Sequence, residues 1–173
     1  DVNQPLWNPA SIGSEMQGKV AVNFTNYLAG INLGSLTFTT SLHEKLGLFH
    51  AGIQYLDYGE LTRADEMGNV LGNFKSYDLA LSMGYAHALK SLNLQMGVNA
   101  KLINSRIDTY SSFGLAFDLA FLYEDAKSPL KISMVLRNIG TQITTFNGAK
   151  EALPFRWLLG ASSRLKHVPL QWF

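Results

Sequence analysis

Alternation with a period of two runs through this chain in stretches too long for ordinary strands, and no other feature restricts the fold as tightly. Between Ser91 and Ile103 one set of side chains is Leu92, Leu94, Met96, Val98, Ala100 and Leu102; the other is Asn93, Gln95, Gly97, Asn99, Lys101 and Ile103. From Ser111 to Tyr123, Phe113, Leu115, Phe117, Leu119 and Phe121 alternate with Gly114, Ala116, Asp118, Ala120 and Leu122. From Tyr77 to His87, Tyr77, Leu79, Leu81, Met83 and Tyr85 alternate with Asp78, Ala80, Ser82, Gly84 and Ala86. Further strands are expected at 19–26, 31–41, 47–58, 130–138 and 155–165, with a last one starting near Pro169. Ordinary strands hold about five or six residues, whereas crossing a bilayer at a tilt takes roughly 9–11. The three segments above have the longer measure.

Two-faced strands occur in soluble sandwiches as well, so the residue types on the second face decide the matter. A soluble protein would place Lys, Glu, Thr and Arg there. Here that face is mostly Gly, Ala, Ser, Asn and Gln, with single charges at Asp78, Lys101, Asp118 and Arg137. Small and amide side chains suit the crowded inside of a closed barrel, which leaves the bulky face for lipid. Composition agrees: charged residues are 16% of the chain and apolar ones 47%, against roughly 25% charged in a soluble domain. Tyr55, Tyr77, Tyr85, Tyr110, Tyr123 and Trp157 fall toward strand ends, as interfacial aromatic girdles require. The expected fold is all-β, an up-and-down antiparallel transmembrane β-barrel in the bacterial outer membrane. The competing reading is a soluble, adhesin-like β-sandwich.

No run of about 18 apolar residues is present, which excludes a membrane-spanning helix. The net charge of +1 gives no field for nucleic acid, and the absence of cysteine rules out disulfides and thiolate metal sites. The start, Asp1-Val2-Asn3-Gln4-Pro5, lacks the pattern of a signal peptide, so the chain is expected to begin downstream of any targeting signal. It stops at Leu170-Gln171-Trp172-Phe173, in what reads as a strand. Residues 1–17 are read as an N-terminal segment and 18–173 as an incomplete barrel of about eight or nine strands, because an open sheet edge is not tolerated in lipid. Connections are expected to be short at 42–46, 88–91, 124–129 and 166–168, and long at 59–76, 104–111 and 139–154; the long ones would lie outside the cell. The short connection at 26–30 breaks this rule.

The N-terminal Trp7-Asn8-Pro9-Ala10 carries the Asn-Pro-Ala element of barrels similar to the long-chain fatty-acid transporter FadL. Further stretches point within that group: Asn8-Pro9-Ala10-Ser11-Ile12-Gly13, Asn23-Phe24-Thr25-Asn26-Tyr27-Leu28, Gly52-Ile53-Gln54-Tyr55 and Tyr110-Ser111-Ser112-Phe113-Gly114. The most specific are Leu61-Thr62-Arg63-Ala64-Asp65-Glu66-Met67-Gly68-Asn69 and Arg137-Asn138-Ile139-Gly140-Thr141-Gln142. On these residues, spread over most of its length, the chain resembles the PorQ family of the type IX secretion system. The resemblance implies a FadL-like barrel of about 14 strands, of which this chain is a portion. It also implies an anchor for the surface protein PorZ, beside the sortase PorU and the related barrel PorV. That attachment complex removes the C-terminal signal of secreted cargo and joins the cargo to anionic lipopolysaccharide. The chemistry there belongs to the sortase.

Among the residues themselves, Asp57, Tyr58, Glu60, Arg63, Asp65 and Glu66 fall within ten positions. They fit a partner-binding extracellular loop with Tyr and Arg anchors; the plainer reading is a solvated loop in which Arg63 pairs with Asp65 or Glu66. The spacing matches no calcium-loop pattern, and no metal or other cofactor is expected. Asp78, Lys101, Asp118 and Arg137 face the lumen, packing it by mutual pairing or lining a conduction path. Gly97, Gly114 and Gly160 mark bends or close packing within strands. The scattered histidines 43, 50, 87 and 167 form no ligand set, and no nucleophile elbow, phosphate loop or zinc motif occurs, so catalysis is not expected. The alternative to anchoring is FadL-type transport of hydrophobic small molecules. An apolar passage opening through the wall would mark transport, and a filled lumen with an ordered 57–75 segment would mark the anchor.

Overall fold

The computed structural model describes residues 2–41, 47–125, 129–164 and 171–172. The described residues form one antiparallel sheet of nine strands, each paired with the next in sequence. These are β1 (Val20–Asn26), β2 (Asn32–Thr40), β3 (Leu48–Ala64), β4 (Val70–Leu89), β5 (Leu94–Ile107), β6 (Tyr110–Glu124), β7 (Leu130–Thr144), β8 (Arg156–Arg164) and β9 (Gln171–Trp172). The only helical elements among the described residues are 3-10 turns of three residues each, so no helix is long and apolar enough to cross a membrane. Up-and-down order holds throughout, and β1 and β9 form the two ends of a sheet that does not close on itself among the described residues.

Strand positions agree with the alternation, but the strands overrun their expected ends on one side of the sheet. The long loop expected at 59–76 is instead a hairpin: β3 continues to Ala64, β4 begins at Val70, and Glu60 pairs with Lys75, Leu61 with Phe74 and Thr62 with Asn73. The loop expected at 104–111 shrinks to a turn at Asp108 and Thr109, because Ile107 pairs with Tyr110. β7 likewise runs to Thr144, leaving 145–155 as the connection to β8. Cross-strand pairing satisfies backbone groups that local Gly, Asn and Asp content alone would assign to loops. The connections expected at 42–46 and 166–168, the centre of 124–129 and the strand start at Pro169 lie outside the described residues.

The two faces are inverted relative to a soluble protein. In the row Val22, Leu36, Ile53, Leu81, Leu102, each side chain pairs with the next across neighbouring strands, and all are exposed. Met83 is 72% exposed. The opposite face carries Thr37, Thr39, His50, Ser82, Asn99, Lys101, Ala116, Asp118 and Ala120, all buried. What buries them is the N-terminal segment. Its 3-10 turns at Gln4–Leu6, Pro9–Ser11 and Ser14–Met16 put Leu6, Ala10, Ile12 and Met16 against this face.

The Asn-Pro-Ala element has a local physical cause. Asn8 accepts the Ala10 N–H at 3.0 Å through its side chain, and its carbonyl accepts the Ser11 hydroxyl at 2.7 Å. Pro9 supplies the fixed φ of the first helical position, where a missing N–H costs nothing. The compact turn that results lies on Gly97: a Cβ there would strike the backbone of Pro9 and Ala10. Gln95 donates to the Ile12 carbonyl at 2.5 Å, and Leu6 covers Gly52. Small wall residues are therefore a requirement of close backbone approach.

Candidate functional site

Two regions carry the candidate residues. The first is a polar belt on the buried face. Thr39, His50, Gly84 and Asn99 stand in register across β2 to β5, and Asn99 faces Asp118 on β6. His50 Nε2 meets Asn99 Oδ1 at 2.5 Å. The Asn99 amide donates to the Pro5 carbonyl at 2.9 Å and to Asp118 at 3.5 Å, so its oxygen is the acceptor and His50 Nε2 holds the proton. Gly84 leaves the room for this contact, since a Cβ would strike both groups.

Asp118 and Lys101 form an ion pair at 2.5 Å. Asp118 is 0% exposed and Lys101 6%. A pair so enclosed needs its other hydrogen-bonding positions filled. Asp118 Oδ1 accepts the Asn138 N–H at 2.9 Å, and Lys101 also donates to the Asn138 side chain at 3.2 Å. Asn138 reaches both because the strand is irregular there: Arg137 and Asn138 together oppose Asp118, between the pairs Phe117–Ile139 and Leu119–Leu136. Asn138 has φ 58°, a region Asn enters more readily than most residues. The bulge turns both of its side chains inward.

Of the four inward charges expected from the sequence, the structure brings Lys101 and Asp118 together. Arg137 lies with its guanidinium over the Trp7 ring at 4.7 Å, and Asp78 accepts the Tyr58 hydroxyl at 2.7 Å on another part of the wall. The belt residues His50, Asn99 and Asn138 were not singled out in the sequence. His50 shares its parity on β3 with Gly52 and Gln54, and that was the available signal that it faces inward. His43 and His167 lie outside the described residues.

The second region is the hairpin that projects beyond the sheet between β3 and β4. Asp57 accepts the Gly59 N–H at 3.0 Å across a bulge, and Glu60 accepts from Asn73 at 2.9 Å. Gly59 has φ +74°, and a Cβ there would come within 3.1 Å of the Gly30 carbonyl, so glycine is required on both counts. Arg63 does not pair with Asp65 or Glu66 as the sequence suggested. It pairs with Asp108 in the β5–β6 turn and lies 5.8 Å from the Phe74 ring. The ion pair thus clips the hairpin to the adjoining turn.

Asp65 closes the tip by accepting the N–H groups of Met67 at 2.9 Å and Asn69 at 2.8 Å, plus the Asn69 amide at 2.8 Å. Hydrogen bonding from Asn69 holds its carboxyl below the ordinary aspartate value. Glu66 is exposed in this turn beside Met67, which is 89% exposed. Asp57, Tyr58, Glu60, Arg63 and Asp65 thus act first as internal fasteners of an ordered hairpin. The groups presented outward are Leu61, Glu66, Met67, Val70 and Leu71. No cluster of His, Cys, Asp and Glu that could hold a metal occurs among the described residues.

No protein-family model matches the chain, and no curated protein matches it in sequence.

Proposed function

We propose that this chain is part of a PorQ-like outer-membrane β-barrel, with its apolar face toward lipid, that anchors a surface partner through its projecting hairpin. The observation that carries the reading is the inversion of the sheet: bulky apolar side chains are exposed on one face while the polar face is filled by residues of the N-terminal segment. Water does not stabilise such an outer face, and a bilayer does. Aromatic contacts support the same placement. Tyr55 and Tyr77 lie 5.7 Å apart toward one end of β3 and β4, and Phe49 and Tyr85 lie 4.9 Å apart toward the other. The nine residues from Tyr77 to Tyr85 match the roughly 9–11 that cross a tilted bilayer. The hairpin beyond Tyr55 then stands outside the membrane.

Between anchoring and FadL-type transport, the filled inner wall favours anchoring. Leu6, Ala10, Ile12 and Met16 occupy the face where a continuous apolar passage would run. Two cavities, of 580 and 760 Å³, flank the N-terminal segment at the end opposite the hairpin and mix polar with apolar lining, including Glu15, Gln95 and Lys131 or Lys90. In the PorQ reading the barrel has about 14 strands, the partner is a PorZ-like surface protein, and the PorU sortase and PorV barrel work beside it on cargo bound for lipopolysaccharide. The test is affinity purification of the full-length protein from detergent-solubilised outer membranes, with and without residues 61–69. The proposal expects a stoichiometric surface protein that is lost on deletion while the barrel stays folded. Retention after deletion would remove the hairpin as the docking element, and recovery of the barrel with bound lipid alone would favour transport.

A further inference from the structure

The inner wall is not balanced in charge, and the imbalance is local. Arg137 on β7 and Arg156 on β8 stand directly opposite one another. Both face inward, because the adjacent pair Leu136–Trp157 belongs to the outer row: Trp157 is exposed, and Leu136 also pairs with the exposed Leu119. Like charges directly opposite in a sheet are destabilising, and among the described residues no carboxylate is paired with either of them. Asp118, the carboxylate on the far side of the bulge, is committed to Lys101, Asn99 and the Asn138 N–H. Asp78 is held by Tyr58 on another part of the wall. Among the described residues neither arginine has an ion pair. Arg137 Nε is buried with no hydrogen-bond partner, and Trp7 covers one face of the same guanidinium.

We infer that Arg137 and Arg156 form an oxyanion site on the inner wall, taking a carboxylate or phosphate group between the two guanidiniums. Each guanidinium presents a planar fork of N–H donors suited to two oxygens of one anion. Trp7 fixes Arg137 by stacking, which removes the rotamer freedom that a flexible cation would lose on binding. The bulge at Arg137 and Asn138 gives the site its place: it turns Asn138 to the Lys101–Asp118 pair and leaves Arg137 facing Arg156. The site depends only on which face is inward, not on the identity of any surface partner, so its failure and the failure of the anchor reading are separable.

The test is thermal unfolding of the full-length protein in detergent, titrated with sodium phosphate or sodium acetate against sodium chloride at matched ionic strength. A saturable rise in unfolding temperature is expected with at least one oxyanion and not with chloride, since a ligand that binds only the folded state stabilises it. Arg156→Gln, at an exposed position, should lower the apparent affinity at least tenfold, whereas Arg106→Gln at the rim should leave it unchanged. Phosphate without acetate would assign the site to a tetrahedral anion, and acetate without phosphate to a carboxylate. Arg137→Gln is expected to lose the response and also unfold at lower temperature, because it gives up the Trp7 contact; Arg156→Gln therefore carries the test. No rise with either oxyanion, or equal rises in wild type and Arg156→Gln, would overturn the proposal.

Discussion

The two faces of the sheet are built on opposite rules, although their residues alternate along the same strands. On the inner face, position matters atom by atom. Asn99 joins His50, Pro5 and Asp118, and glycines at 84 and 97 exist because no Cβ fits. On the outer face, Ile53, Leu81 and Leu102 are bulky and exposed, as the proposed lipid surrounding would allow. Specific side-chain contacts are thus concentrated where the sheet meets its own N-terminal segment.

The largest expected effect breaks the inner rule. Asp118→Ala leaves the buried Lys101 ammonium without its carboxylate, and removal of one partner of such a pair costs about 3–5 kcal/mol. Urea unfolding in detergent should show a loss of that order, and the double variant Asp118→Ala with Lys101→Met should recover most of it. Next comes the outer rule. Leu81→Arg, midway between Tyr77 and Tyr85, should cost roughly 2–4 kcal/mol when folding is measured in lipid vesicles. On a water-facing sheet the same change at an exposed site would stay within about 0.5 kcal/mol.

A third change sharpens the contrast at a single position. Gly97→Ala puts a methyl into the backbone of Pro9 and Ala10, an overpacking worth about 1–3 kcal/mol. Limited proteolysis should then cut within residues 1–17 while the strands stay protected. The smallest effect concerns the hairpin, which belongs to neither face. The Asp65 carboxyl is held below its ordinary value in the folded tip, so its stabilisation is fully present above the unfolded value of about 3.9. That contribution is lost as pH falls through the lower, folded value. The Met67 and Asn69 amide resonances should therefore shift together, with a midpoint below the value of a free aspartate.

Much of this contrast was legible in the sequence. Residue type on alternate positions assigns both faces of β4, β5 and β6, because Gly, Ala, Ser and Asn repeated at one parity have few other uses. The hairpin was not legible. Gly59, Gly68, Asn69, Gly72 and Asn73 all read as loop, and only cross-strand pairing turns 60–64 and 70–75 into strands. The Arg63–Asp108 clip joins residues 45 positions apart in sequence, which local spacing cannot reveal. Lys101 and Asp118 were expected to face inward, but their meeting depends on the register of β5 on β6 and on the bulge at Asn138. Alternation assigns side chains to a face without fixing how far neighbouring strands slide. The pairing of the buried His50 was hidden for a similar reason: its partner Asn99 stands two strands away, across Gly84.

The most direct test of the central claim uses the absence of cysteine from the chain. Single cysteines would be placed at Leu79, Ala80, Leu81, Ser82 and Met83 in the full-length protein, with any cysteine outside these 173 residues replaced by serine, and carry a small fluorophore, with quenching by brominated lipid read in reconstituted vesicles. The account predicts an alternating profile, with positions 79, 81 and 83 strongly quenched and 80 and 82 spared. Uniformly absent quenching, or an alternation with the phase reversed, would contradict a lipid-facing apolar wall.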